Sequence, residues 1–364
     1  MAASRLAALV QRIVEQPGSA FGAPGAGVVV LRGDRVVDRI FFGTDAAGRP
    51  FGPDSLFPIA SSVKLATGLT LHRLCELGRL ALDDPLARHL PEAAAARPDV
   101  TLRALLSHVS GLPLDLSPES VTFDEKLDWP TLKQACLCTP LQDAPRVHFQ
   151  YSNLGYGLLG ITIERASGMS YQDAVRSLVL EPLGIEAYLG RAPPRAAAAI
   201  GDVRSRHVGT PVEPYNSTFW QALGLPWSGL VTTAEGLLSL ALAYAGRSAL
   251  IRAETCAEAT RNQNGTLGGG FRTRDPFLGM DATSVLTWPA CNWGLGIEVR
   301  GEKSPHWSPP LAGAASFGHI GSSGCVVWVV PSADTAWVVV GTRTTDGGWL
   351  LRHAAGLGLA ILRG

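Results

Sequence analysis

The sequence lacks a long hydrophobic run and an excess of charge of either sign. Its longest apolar stretch, LLSLALAYA from Leu237, is about half the ~20 residues that a membrane-spanning helix needs. Among the 364 residues, 31 lysines and arginines balance 31 aspartates and glutamates, which gives a formal net charge of zero at pH 7. We therefore expect neither a membrane nor a nucleic acid as a partner, and we expect small-molecule ligands.

The cysteines show no spacing that supports a metal site or a disulfide framework. All six are widely scattered without a C-x-x-C pair, and the histidines form no H-E-x-x-H motif. We expect no metal and no cofactor. The N-terminal stretch has apolar residues at helical spacing, but Arg5, Gln11 and Arg12 interrupt any apolar core of an export signal. We predict a surface helix there and a location in the reducing cytoplasm.

Two further enzyme signatures are missing or out of context. No serine lies in a G-x-S-x-G motif, which disfavours an α/β-hydrolase. The stretch GYGLLG from Gly155 matches G-x-G-x-x-G, but it follows a polar turn instead of a strand. The sequence therefore does not indicate a dinucleotide site.

Strand patterns lie near both ends of the chain, and helical periodicity fills the middle. Two β-branched runs meet at a turn at Gly33 and Asp34, and a second pair meets at Pro331 to Asp334, with a helix after it. We predict an α+β fold in which the N- and C-terminal segments, 1–63 and 284–364, form one antiparallel sheet flanked by helices. Residues 64–283 are predicted to form a mainly helical insertion, with the active site between the two parts. The glycine-rich stretch from Asn262 is predicted to be a surface loop.

Ser61 and Lys64 stand at the start of a predicted helix. Three residues apart, they share one face, so the Lys64 amine can approach the Ser61 hydroxyl. An amine among apolar groups is pushed towards its neutral form and can then accept a proton from a serine nucleophile. The alternative is an ordinary serine cap followed by a lysine that reaches out to solvent, and S-x-x-K alone does not decide between them.

Two later stretches carry further candidate site residues. In HFQYSNLGYGLLG, Tyr151 and Asn153 can bring a phenol and an amide into a cleft. In SFGHIGSSGCVVWVV, His319 and Gly321 begin a predicted strand, where small residues let a substrate approach the backbone. Tyr151 and His319 are also compatible with simple roles in the core.

With these three groups in this order, the sequence resembles the serine β-lactamase and penicillin-binding-protein-like superfamily. Within it, the closest resemblance is to the class C-like branch that includes family VIII carboxylesterases and D-aminopeptidases. The resemblance runs from about Gly25 to the C-terminal helix and implies the β-lactamase/transpeptidase-like fold. Further matching stretches are LCELGRLALDDPLARHLPE, TLRALLSHVSGLP, YSNLGYGLLGITIERASGMSYQDAV and WSGLVTTAEGLLSLA.

The resemblance implies a role for each candidate residue. Ser61 attacks the acyl carbon, and Lys64 and Tyr151 move its proton. The backbone N–H groups of Ser61 and Ser322 form the oxyanion hole. Asn153 holds Lys64 or a substrate carbonyl, while His319 and Gly321 line the substrate side where many relatives have Lys-Thr-Gly. His108, in LLSHVSGL, falls in a stretch that resembles a structural turn of the family.

Position 319 bears on the choice of substrate. A lysine there would attract carboxylate-bearing substrates such as β-lactams, whereas a histidine is mostly neutral near pH 7. We therefore expect a carboxylesterase for small neutral esters. The alternatives are a β-lactamase or a D-aminopeptidase-like or DD-peptidase-like amide hydrolase, and a non-catalytic binding protein on the same scaffold. Five tryptophans are candidates either for an apolar substrate pocket or for the core, namely Trp220, Trp227, Trp288, Trp293 and Trp307.

Overall fold

A computed structural model describes residues 2–16, 19, 21–272 and 285–364. Its strands are β1 (Gly25–Arg32), β2 (Arg35–Gly43), β3 (Phe57–Pro58), β4 (Phe149–Gln150), β5 (Ala187–Tyr188), β6 (Val231–Thr232), β7 (Gly269–Arg272), β8 (Val285–Trp288), β9 (Glu298–Val299), β10 (Phe317–Gly321), β11 (Cys325–Val330) and β12 (Thr335–Gly341). Its α-helices are α1 (Ala2–Val14), α2 (Val63–Glu76), α3 (Leu86–His89), α4 (Leu102–Leu106), α5 (Trp129–Cys138), α6 (Asn153–Ser167), α7 (Tyr171–Val175), α8 (Thr218–Leu223), α9 (Ala234–Tyr244), α10 (Ala253–Ala259) and α11 (Trp349–Arg363).

The central sheet joins the two ends of the chain. It has six antiparallel strands in the order β2-β1-β12-β11-β10-β9. The register pairs Ala26 of β1 with Gly341 of β12. Both predicted hairpins are present, and their turns contact each other, since the Gly33 N–H donates to the Asp334 carbonyl at 2.9 Å. The predicted antiparallel sheet and α+β class are confirmed.

Helices cover both faces of this sheet. Helices α1 and α11 pack together and lie against β1 and β12, while α9 contacts β11 and β12. The strands β11 and β12 are consequently buried on both faces, which is why they read as continuous apolar runs instead of alternating ones. None of the described helices combines the length and the apolar character needed to cross a bilayer.

Helix α2 lies at the centre of the helical part. It packs against α6, α7 and α9, and most of its residues are buried, including Lys64. This burial explains why the sequence of α2 has no wide polar face. The helix thereby carries an ammonium-bearing side chain into the interior beside the edge of the sheet.

One loop prediction is wrong in part. Residues 269–272 of the glycine-rich stretch form β7, which pairs with β4 and β8, instead of a plain surface loop. The Gly269 backbone lies so close to Phe149 that a Cβ there would meet the Phe149 carbonyl oxygen at 2.0 Å, which accounts for glycine in a strand. Residues 273–279 of the predicted loop lie outside the described residues, as does the predicted domain boundary at 283/284. The division into two domains stays a prediction.

Candidate active site

The nucleophile candidate Ser61 lies in a strained turn just before α2. Residues Ala60–Ser62 form one 3₁₀ turn, and Ala60 adopts a left-handed conformation with φ of 46°. Such strain in a non-glycine residue costs of order 1–3 kcal/mol and is typical of functional sites. Ser61 is not the predicted helix cap: Ile59 and Ser62 take the cap positions of the two helical segments, and neither makes a side-chain cap hydrogen bond. Ser61 is a partly exposed residue, and its hydroxyl is therefore not committed to capping.

Lys64 lies inside the protein, beside Ser61. Its side chain has no exposed surface, and its Nζ is 3.4 Å from the Ser61 Oγ and 2.7 Å from the Asn153 Oδ1. The same nitrogen lies 4.7 Å from the ring centre of Tyr151 and 5.4 Å from that of Tyr156. A lysine that reaches out to solvent would be exposed, so this alternative is wrong.

Tyr151 and Asn153 are held by the start of α6. Ser152 caps this helix by accepting from the Gly155 N–H, and its hydroxyl donates to the Pro113 carbonyl at 2.6 Å. Asn153 donates from Nδ2 to the Asp115 Oδ2 at 2.7 Å. Tyr151 is buried and hydrogen-bonded to Ser61; burial raises the pKa of its phenol, and this bond only partly opposes the rise. At neutral pH the group beside Ser61 is a phenol, which both donates and accepts a hydrogen bond.

His319 is neutral and fully buried. Its Nδ1 lies 2.6 Å from the Ile320 carbonyl oxygen, which only accepts, so the proton is on Nδ1 and Nε2 presents a lone pair. Burial, and next the positive charge of Lys64, lower the pKa of this imidazole to about 4. Its ring centre is 6.5 Å from that of Tyr151 and 5.7 Å from that of Trp293. With no exposed surface, His319 acts on the site through its neighbours and through its lack of charge.

Gly321 brings β10 against the residues that precede Ser61. A Cβ at position 321 would lie 2.2 Å from the carbonyl oxygen of Ile59. The space that glycine leaves is thus filled by the protein backbone and not by substrate. The next residue, Ser322, accepts from the Thr345 N–H through its carbonyl oxygen, and its hydroxyl lies 2.9 Å from the Tyr215 hydroxyl.

Three neighbours of the site have no recognisable motif in the sequence. Asp115 lies two residues after a proline in LPLDLSPES, Tyr215 lies in an aperiodic segment, and Trp293 forms only an isolated β-bridge. His108 also contacts the site: its Nδ1 accepts from the Ser152 N–H at 3.1 Å, and its ring centre is 4.3 Å from that of Tyr151. His108 thus helps to hold the turn that contains Tyr151 and Ser152.

The five candidate tryptophans are all buried, with at most 5% of their surface exposed. Trp293 packs against Tyr151 and His319, whereas Trp288 and Trp307 pack against His306. Burial of this kind is typical of core residues and not of an open pocket wall. Within the described ranges, no three side chains among His, Cys, Asp and Glu are grouped so as to hold a metal ion.

A cleft adjoins the site at Asp115. It has a volume of about 930 Å³ and is lined by residues 113–118 and 120 together with the side of α5 that carries Thr131, Gln134 and Cys138. Three hydrogen-bonded steps connect Ser61 to its wall, through Lys64, Asn153 and Asp115.

Comparisons with known proteins show the family and the fold of this chain. A family model described as Beta-lactamase matches residues 10–358. The chain is 30% identical over 325 residues to Esterase EstB of Burkholderia gladioli, which covers 79% of this chain and 82% of EstB. It is 27% identical over 180 residues to Protein flp of Staphylococcus aureus strain N315, and that match covers 48% of this chain and only 36% of flp.

A solved structure shows the shared fold. It is described as EstCE1, a hydrolase with promiscuous acyltransferase activity, and it matches with a TM-score of 0.74 at 20% identity over 99% of both chains.

Proposed function

Because this chain belongs to the beta-lactamase family, we propose that it is a serine hydrolase and, within that class, a carboxylesterase for small neutral esters. The observation that carries the proposal is the fully buried Lys64 amine, which is 3.4 Å from the Ser61 hydroxyl in a site where Tyr151 also bonds Ser61. The name of the relative EstB supports an ester substrate.

The proposed reaction has two halves. Lys64 accepts the proton of the Ser61 hydroxyl as the Oγ bonds to the acyl carbon, and the carbonyl oxygen becomes an oxyanion that the N–H groups of Ser61 and Ser322 stabilise. The C–O bond then breaks, and the leaving alkoxide receives the proton through Tyr151. In the second half, water attacks the acyl-enzyme, gives its proton to the same groups and releases the acid and Ser61.

The proposed preference for neutral substrates depends on His319. Its neutral imidazole replaces the cation that would attract a carboxylate, and Lys64 disfavours a second positive charge beside it. The same machinery can cleave amides, so a β-lactamase or D-aminopeptidase-like activity is the second candidate. A non-catalytic binding protein is the third candidate. Such a protein would not need a strained turn in which a serine hydroxyl is kept out of helix capping.

A labelling experiment tests the proposal. We expect a fluorophosphonate probe to modify Ser61 in the intact protein, as located by peptide mass spectrometry. Ser61→Ala should lose the label and the hydrolysis of p-nitrophenyl acetate, while the adjacent, buried Ser62→Ala variant keeps both. Absence of a label on Ser61, or an active Ser61→Ala variant, would contradict the proposal.

The substrate class needs a second measurement. We expect kcat/KM to be higher for a neutral p-nitrophenyl ester than for a carboxylate-bearing ester of equal size, and little turnover of the anionic β-lactam nitrocefin. A preference for nitrocefin or for a D-alanine p-nitroanilide would favour an amide hydrolase instead.

A further inference from the structure

The buried carboxylate of Asp115 lies one amide group away from Lys64. It accepts from the Leu116 N–H at 2.9 Å through Oδ1 and from the Asn153 Nδ2 at 2.7 Å through Oδ2, and only 8% of the residue is exposed. Asn153 in turn accepts from the Lys64 Nζ at 2.7 Å. The three side chains form a continuous row that ends at Ser61.

These two hydrogen bonds of Asn153 fix which side of its amide group carries the oxygen and which carries the nitrogen. A carboxylate can only accept hydrogen bonds, and an ammonium can only donate them. Asp115 therefore requires the NH₂ group on its own side, which leaves the amide oxygen for Lys64. Without the carboxylate, the amide can rotate and present its NH₂ group to Lys64, which would remove the hydrogen bond that holds the amine.

Asp115 also brings a negative charge close to Lys64. The groups around Lys64 include the Ser61 hydroxyl, the rings of Tyr151 and Tyr156, and the imidazoles of His108 and His319. Burial lowers the pKa of both imidazoles, so they are neutral at pH 7. The Glu298 carboxylate, whose charge reaches Tyr151 and His319, is hydrogen-bonded to Lys303 and His306.

We propose that Asp115 is a positioning residue: through the amide of Asn153 it holds Lys64 beside Ser61, and its charge sets the pH above which the enzyme becomes active. This inference rests on the proposed serine-hydrolase mechanism. An anion at this place favours the protonated form of Lys64, to which it is connected through the Asn153 amide. Neutralising it therefore moves the onset of activity to lower pH, because Lys64 then gives up its proton more readily.

The test is the pH dependence of kcat/KM in Asp115→Asn. The profile is measured with a neutral acetate ester in a pH-stat between about pH 5 and pH 10. We expect its rising limb to shift to lower pH by about one pH unit or more. Asp115→Glu keeps the charge and should leave the limb in place, with a lower plateau because the longer side chain displaces Asn153. Asp124→Asn, the same change at an exposed position, should match the unsubstituted protein.

Each outcome decides between a positioning role and a purely structural one. If the rising limb of Asp115→Asn lies at the same pH as that of the wild type, the inference is overturned, whether or not the plateau is lower. If Asp115→Asn does not fold, a rising limb of Asp115→Glu at a different pH from that of the wild type would overturn it instead. Labelling of Ser61 by the fluorophosphonate is measured in every variant: an unlabelled wild type disproves the hydrolase mechanism itself, whereas a labelled wild type with an unmoved limb disproves only the role of Asp115.

Discussion

The backbone of Gly321 lies against the carbonyl oxygen of Ile59, two residues before Ser61. A methyl group at position 321 would lie 2.2 Å from that oxygen, so the two segments could not keep their distance. This contact joins the strand that precedes Ser322 to the turn that presents the nucleophile. The proposed oxyanion hole depends on it, because one donor comes from each segment.

Gly321→Ala should therefore impair catalysis beyond its effect on stability. Overpacking of this kind costs about 1–3 kcal/mol, and any relief of the clash separates Ser322 from Ser61. We expect kcat to fall at least tenfold with a modest loss in Tm. The control is Gly356→Ala in α11, where a Cβ meets nothing within 4 Å; equal kcat in both variants would contradict the prediction.

Lys64→Arg should be nearly as inactive as Lys64→Met. The guanidinium keeps a positive charge but does not give up its proton near neutral pH, so it cannot accept one from Ser61. The measurement is kcat/KM for p-nitrophenyl acetate, with the exposed Lys126→Arg as the control. An active Lys64→Arg variant would show that position 64 acts as a fixed cation, and Tyr151 would then be the base.

His319→Lys should shift specificity towards anionic substrates. A lysine that reaches the substrate from this buried position adds about 1–3 kcal/mol of charge-assisted hydrogen bonding to a carboxylate, which is about five- to a hundred-fold in the ratio of kcat/KM values. The ratio is measured with matched neutral and anionic esters. It is measured at two salt concentrations because salt screens an exposed contact. His148→Lys, at a partly exposed site, is the control. An unchanged ratio would mean that position 319 does not set substrate charge.

The stability of the protein should fall on acidification between about pH 6.5 and pH 4. The pKa of His319 is about 4 in the folded protein and 6.5 ordinarily, so in this range the unfolded chain binds a proton that the native one does not. The free energy of unfolding therefore rises with pH in this range, and the titration of His319 contributes about 3 kcal/mol to the rise in total. Above pH 6.5 this residue no longer makes the free energy of unfolding depend on pH. When free energies of unfolding are measured in urea at several pH values, they should rise less steeply with pH in His319→Gln than in the wild type. Equal pH slopes in the two proteins would contradict the assignment.

The buried Glu298–Lys303 pair offers a prediction about stability alone. Both side chains have no exposed surface, and Glu298 also accepts from the Trp307 indole at 3.1 Å. Lys303→Met should cost about 3–5 kcal/mol because it leaves a buried carboxylate without its cation. Adding Glu298→Gln should recover part of this loss in denaturant unfolding. A double variant no more stable than Lys303→Met would argue against unpaired charge as the cause.

Local patterns in the sequence were enough to predict the strands and helices with strong periodicity. The hairpins at Gly33 and at Pro331–Asp334 combine β-branched runs with turn residues, and both are present. Strand β7 escaped prediction because its first residue, Gly269, is required by the close approach of Phe149, a residue more than a hundred positions earlier. Strands of two residues, such as β3 and β6, carry too little pattern to be recognised at all.

The site was predictable only where a motif exists. Ser61, Lys64, Tyr151 and Asn153 meet in space, but the short sequence spacing explains only the contact between Ser61 and Lys64. The contact of Asp115 with Asn153 arises because the loop before Asp115 is held to the start of α6 by the Ser152 hydroxyl. A single aspartate in a proline-bounded loop gives no sign of such a contact in the sequence.

The pairing of β1 with β12 has a consequence for biosynthesis. Strand β1 leaves the ribosome long before its partner β12 is translated, and until then β1 can pair only with β2. Ser322 likewise emerges long after Ser61. A nascent chain stalled before residue 322 therefore contains the proposed nucleophile without the second proposed oxyanion donor, so hydrolytic activity should arise only after synthesis of the β11–β12 hairpin, and late in folding.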